Sequence, residues 1–156
     1  MTQEAAKKER VTKVIEVLNK ARSMELYAVH QYMNQHYNLD NLDYGEFASK
    51  IKLIAIDEMR HAENFAERIK ELDGEPVSEL SSKITKGQKV ADVFPFNVKV
   101  EDDTIETYNA LLEICRANGD SVSARLFERI LDEEQIHDNY FANMANHIKT
   151  LGDTYL

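Results

Sequence analysis

Shifting the 156-residue chain by 76 positions carries Glu25, Glu58 and His61 onto Glu101, Glu134 and His137. Each set is one isolated Glu followed by a Glu-x-x-His pair. On a helix the i to i+3 spacing puts the Glu and His of each pair on one face. One Glu from each of two helices, with a Glu-x-x-His from each of two more, is the donor inventory of a di-iron or di-manganese carboxylate centre in a four-helix bundle. Two divalent ions balance four carboxylates, and two neutral imidazoles complete the coordination. Oxygen-rich donors without a thiolate suit iron or manganese better than copper(I) or a structural zinc. Iron is favoured because a pair can give one electron per ion to a two-electron oxidant.

A single Glu-x-x-His in a chain this rich in Glu carries little weight, and the bland alternative is solvated or salt-bridged Glu with satisfied core His. Placement argues against that alternative. Helix one carries a seam through Val11, Val14, Leu18, Ala21, Glu25, Ala28 and Tyr32, so its Glu takes a position that packing would give to Leu. The other seams repeat the violation: Phe47, Ile51, Ile54, Glu58, His61, Phe65 and Leu72; Phe94, Val98, Glu101, Ile105, Tyr108, Leu112 and Cys115; Leu126, Ile130, Glu134, His137, Phe141, Met144 and Ile148. Four carboxylates in one core would repel each other and need a neutralising partner. Tyr32 and Tyr108, related by the same offset, can hydrogen-bond those carboxylates; the alternative is two core tyrosines with satisfied hydroxyls.

The elements that must position these residues are four helices at about 5–37, 44–72, 92–118 and 120–151. Turn chemistry separates them, at Asn38 to Gly45, at Asn118-Gly119-Asp120, and at Gly152 as the last cap. Glu25 and Glu58 are centred on the first turn, and Glu101 and Glu134 on the second. Each pair therefore lies level across its hairpin, about 24 Å from the turn at 1.5 Å per residue. Between the hairpins, Asp73 to Ala91 is a polar stretch that reaches about 60 Å when extended, enough to run the length of the bundle. Pro95 is expected in the first turn of helix three.

Bulk composition agrees. Two Pro, five Gly and no Trp leave an all-α chain, read as one domain over residues 1–156. No apolar run approaches the roughly 20 residues of a membrane span. One cysteine, Cys115, forms no internal disulfide, reads as a small buried hydrophobe, and together with the absence of a leader points to the cytoplasm. A net charge of −9 disfavours nucleic acid and favours cations. His30, His36 and His147 have no repeat partner and are assigned to surface or packing.

The segments Met24-Glu-Leu-Tyr-Ala-Val-His-Gln-Tyr32, Ile56-Asp-Glu-Met-Arg-His-Ala62 and Leu131-Asp-Glu-Glu-Gln-Ile-His137 resemble bacterioferritin, closely those of sulfate-reducing bacteria. The resemblance implies a ferritin-like four-helix bundle of two antiparallel hairpins joined by a long crossover. It further implies a cytoplasmic homo-oligomer of 24 subunits built from two-fold dimers. Such a shell oxidises iron(II) with O2 or H2O2 at two irons per subunit, stores iron(III) mineral, and takes electrons from a ferredoxin-type donor. By this matching Glu25 and Glu101 are terminal carboxylates, Glu58 and Glu134 bridging ones, and His61 and His137 the imidazole ligands. Met59 matches the axial ligand of a haem shared between two subunits, where the pattern alone reads as interface filler.

The chain departs from the family at two points. A cavity-facing His that some members use in an accessory iron site is Leu53 here, although Asp57 is kept. The chain also ends four residues past Gly152, so at most a very short fifth helix is expected. Two other functions compete with ferroxidase and iron storage. A peroxide reductase resembling rubrerythrin shares the bundle and the Glu-x-x-His pairs, but it would add a cysteine-rich module that a single cysteine cannot supply. A metal-free helical interaction protein is the third.

Overall fold

The computed structural model describes residues 1–156, the side chain of Asp153 excepted. Four helices, α1 (Gln3–Asn41), α2 (Gly45–Glu71), α3 (Val90–Ala117) and α4 (Ser121–Leu151), are followed by one 3-10 turn at Gly152–Thr154. The last element is the short terminal piece that the sequence allows. Among the described residues no helix is long and apolar enough to cross a membrane.

Two helix ends differ from expectation. Helix α1 continues through Asn38-Leu-Asp because Leu39 completes the buried seam at 0% exposure, which shrinks the turn to Leu42, Asp43 and Tyr44. Asp43 takes φ of 67°, a conformation that Asp adopts more readily than most residues. Helix α3 starts at Val90, so Pro95 sits in its second turn rather than its first. There it removes the hydrogen bond to the Ala91 carbonyl; both residues are exposed, and solvent can take the acceptor.

The crossover ascends along α1, and side-chain amides hold it there. Asn19 donates to the Glu75 carbonyl at 3.0 Å and accepts from the Val77 amide at 2.9 Å. Higher up, Gln31 donates to the Thr85 carbonyl at 2.9 Å and accepts from the Thr85 amide at 2.7 Å. Gln35 exchanges two 2.8 Å bonds with Asn97, joining α1 to α3. These amides were invisible in the apolar pattern. Asn19 and Gln31 are where the crossover's backbone groups find partners.

The apolar core is split in two. One cluster joins Val14, Leu18, Phe65, Tyr108, Phe127 and Ile130, and the other joins Tyr32, Ile51, Ile54, Phe94, Phe141 and Ile148. Phe65 packs on Phe127 and Tyr108 with ring centroids 5.0 and 5.8 Å apart, and Phe141 packs on Tyr32 at 5.4 Å. Between the clusters lies the level of the six Glu and His residues. Thr104, rather than Ile105, takes the buried position on α3, because its hydroxyl is satisfied by the Val100 carbonyl at 2.9 Å.

At the lower end, Arg68 of α2 docks the start of α4. Its guanidinium donates to Ser123 Oγ at 2.9 Å and to both Asp120 oxygens at 3.0 Å, while Asp120 caps α4 by accepting from the Ser123 amide at 2.8 Å. Burial pushes the Asp120 carboxyl up, but the Ser123 bonds and Arg68 outweigh it and hold it below its ordinary value. That contribution is present above the ordinary carboxylate pKa and is lost as pH falls through the depressed one. Asp120→Ala should lower the unfolding free energy by about 2–4 kcal/mol, through the lost cap and the stranded guanidinium, as read by urea denaturation at neutral pH.

Candidate metal centre

Glu25 and Tyr32 stand on α1, Glu58 and His61 on α2, Glu101 and Tyr108 on α3, and Glu134 and His137 on α4. All eight are buried. His61 Nδ1 lies 3.3 Å from Glu25, 3.3 Å from Glu58 and 3.1 Å from Glu134. His137 Nδ1 lies 3.2 Å from Glu58, 3.4 Å from Glu134 and 3.9 Å from Glu101. Two sets of four donors result, Glu25, Glu58, His61 and Glu134, and Glu58, Glu101, Glu134 and His137, each with its donor atoms within 4.8 Å of one another. Glu58 and Glu134 belong to both sets.

Hydrogen bonds outside the cluster orient these donors. Tyr32 donates to Glu101 Oε1 and Tyr108 to Glu25 Oε1, each at 2.6 Å, so each hairpin's tyrosine holds the other hairpin's isolated Glu. Burial, with the facing carboxylates, raises both phenols and keeps them protonated as donors. On the opposite side His61 Nε2 meets Glu133 at 3.0 Å, and His137 Nε2 meets Asp57 at 2.9 Å. A carboxylate only accepts, so each Nε2 carries a hydrogen, which leaves each inward Nδ1 as the nitrogen that can bind a cation once its own proton has left. The sequence reading missed Glu133 in this role, although the offset of 76 pairs it with Asp57.

Without a cation the cluster is frustrated. Glu25 Oε2, Glu58 Oε1, Glu101 Oε2, both Glu134 oxygens and both Nδ1 atoms are buried with no hydrogen-bond partner. Burial, reinforced by Glu134, pushes Glu25 up to about 7, and burial with the neighbouring charges raises Glu101 and Glu134. For the imidazoles burial acts the other way but is outweighed by the surrounding carboxylates, which lift His137 to about 11 and His61 further. Protons thus stand in for positive charge. Once those protons leave, the inward Nδ1 atoms, unpaired oxygens and four carboxylates fit two divalent cations.

Met59, one residue past Glu58, faces away from the cluster and is half-exposed. Leu53 is exposed on the same helix, and Asp57 is engaged with His137. His30 is exposed, His36 Nδ1 contacts the Ala48 carbonyl at 2.6 Å, and His147 packs on Tyr155, which leaves all three outside the cluster. Cys115 is fully buried, and burial pushes its thiol up to about 12.

A family model described as a ferritin-like domain matches residues 15–151. The chain is 61% identical over 150 residues to a bacterioferritin of Desulfovibrio desulfuricans, covering 96% of this chain and 84% of that one. With a bacterioferritin of Streptomyces coelicolor it shares 34% identity over 141 residues, covering 90% and 84%. The X-ray structure of Desulfovibrio desulfuricans bacterioferritin, which describes "the diiron site in different catalytic states", matches with a TM-score of 0.95 at 60% identity, over 96% of this chain and 87% of that chain. Mycobacterium tuberculosis bacterioferritin matches with a TM-score of 0.86 at 30% identity, over 90% and 89%.

Adding Co(II) to the metal-free protein should raise its thermal midpoint, with about 2.7 kcal/mol of stabilisation at a hundredfold excess over Kd. Because Glu25, raised to about 7, and both imidazoles, raised further, must give up protons, the apparent affinity should rise from about pH 6 and go on rising into the alkaline range, with proton release detectable in weak buffer. Tyr32→Phe and Tyr108→Phe should each weaken binding about 10–100-fold by freeing a carboxylate that the hydroxyl now holds.

Proposed function

Because the chain belongs to the bacterioferritin family of ferritin-like proteins, we propose that it is a ferroxidase and iron store that converts iron(II) to iron(III) at its own paired site. The observation that carries this is the overlap of two four-donor sets at Glu58 and Glu134. Those two carboxylates would be shared between the ions, while Glu25 with His61, and Glu101 with His137, would each serve one. Iron bound there supplies one electron per ion to O2 or H2O2. Tyr32 and Tyr108 keep the unshared carboxylates from rotating, and Asp57 and Glu133 keep the imidazole lone pairs aimed inward. The apolar clusters on either side exclude bulk water, so each carboxylate acts on bound cations at full strength.

In this reading 24 copies, assembled from two-fold dimers in the cytoplasm, enclose the mineral, and a ferredoxin-type donor returns electrons for release. Met59 supports a haem between two copies, since a half-exposed thioether on a helix flank is a soft ligand that a partner and a flat apolar group would cover. The haem would carry electrons inward.

Stopped-flow mixing of metal-free protein with iron(II) and oxygen should show a fast phase of about two irons per chain, absent in Glu134→Ala. Lack of that phase in a folded, unmodified protein would rule the ferroxidase out. From a chain of 18.0 kDa, chromatography should return a shell above about 400 kDa; a dimer near 36 kDa would favour the rubrerythrin-like reductase instead. Met59→Ala should abolish the haem absorbance and leave the iron stoichiometry unchanged.

A further inference from the structure

The two halves of the metal centre are held unequally. Tyr32 has one hydroxyl hydrogen and one acceptor for it, Glu101 at 2.6 Å. Tyr108 divides its hydrogen between Glu25 at 2.6 Å and the Ala21 carbonyl at 3.1 Å. Beyond the Tyr32 bond stands a second link between the same two helices, the amide pair of Gln35 and Asn97. Its counterpart under the offset of 76 is Leu111 and Ala21, both buried and apolar.

Gln35 and Asn97 are themselves buried. Gln35 gives its second amide hydrogen to Gln88 of the crossover at 2.8 Å, whereas the Asn97 side chain has no hydrogen-bond partner but Gln35 among the described residues. Holding the crossover therefore accounts for Gln35 and leaves Asn97 unexplained, since a leucine would fill its place without burying an amide. What an amide pair adds over apolar packing is direction. Two opposed N–H···O bonds fix the height of one helix against the other, and apolar contact tolerates sliding.

Height is what the Tyr32 bond requires. Gln35 lies three residues past Tyr32 and Asn97 four before Glu101, so the two links stand one turn apart on the facing stripes of antiparallel helices. An O–H···O bond weakens beyond about 3 Å, so a slip of about 1 Å between α1 and α3 would release the Glu101 carboxylate. We infer that Gln35 and Asn97 are positioning residues: through Tyr32 they hold Glu101, and with it the cation position it forms with His137. This rests on the metal-site function proposed above, and adds that the position of Glu25 and His61 has no such support.

Co(II) titration of the metal-free protein, read by visible absorption, tests the assignment without turnover. Gln35→Met with Asn97→Leu replaces both amides by apolar groups of similar size, a change that is nearly neutral for stability. It should weaken one bound ion about tenfold and alter its spectrum, and leave the other within about twofold of the unmodified protein. Adding Tyr32→Phe to that pair should bring no further loss, whereas adding Tyr108→Phe should weaken the second ion as well. Gln35→Asn with Asn97→Gln, which exchanges the two amides, should restore both affinities. Asn97→Ala should show the same pattern with Tyr32→Phe, and supplies the test should the apolar pair fail to fold. A loss shared equally by both ions, a loss that multiplies with that of Tyr32→Phe, or affinities both within about twofold of the unmodified protein would overturn the positioning role and leave the metal site standing. An unmodified protein that binds no Co(II) would overturn both.

Discussion

Four carboxylates buried at one level of a helix bundle repel each other, and none has water to screen it. Every feature around them eases that repulsion. Two phenols donate into the cluster, two imidazoles take up protons, and oxygens with no partner remain for cations to satisfy. Apolar clusters above and below fix the helices firmly enough that the carboxylates cannot swing out to solvent. The cost to the metal-free fold is the other face of its affinity for metal.

The repeat of 76 residues extends beyond the donors to Tyr32 and Tyr108, Asp57 and Glu133, Phe65 and Phe141, and Ala28 and Thr104. It fails where the crossover runs. Gln31 and Gln35 of α1 are buried amides, while their counterparts on α3 are Thr107 and Leu111. The crossover is bonded along α1, and its backbone needs polar partners there.

Much of this was legible in advance because burying a Glu in an apolar seam breaks a rule that packing otherwise enforces. Glu25, Glu58, Glu101 and Glu134 announced themselves by position, and hairpin symmetry supplied their heights. Helix ends were less legible, since Asn38-Leu-Asp reads as a turn until Leu39 is seen filling the core. Glu133 was hidden because a surface carboxylate beside a Glu-x-x-His looks like ordinary solvated charge. Its contact with His61 depends on how closely α2 and α4 approach, which no single-helix pattern encodes.

The long crossover has a consequence for how the chain acquires its form. Each antiparallel hairpin closes through a short turn and can collapse early through local contacts. Neither hairpin alone holds more than two of the four carboxylates, so the electrostatic strain arises only when the halves dock. The crossover acts as a tether that makes this docking intramolecular and raises the effective concentration of one half about the other. Cation capture therefore favours the docked form of the two halves over the undocked one, which links metal supply to the stability of the assembled chain.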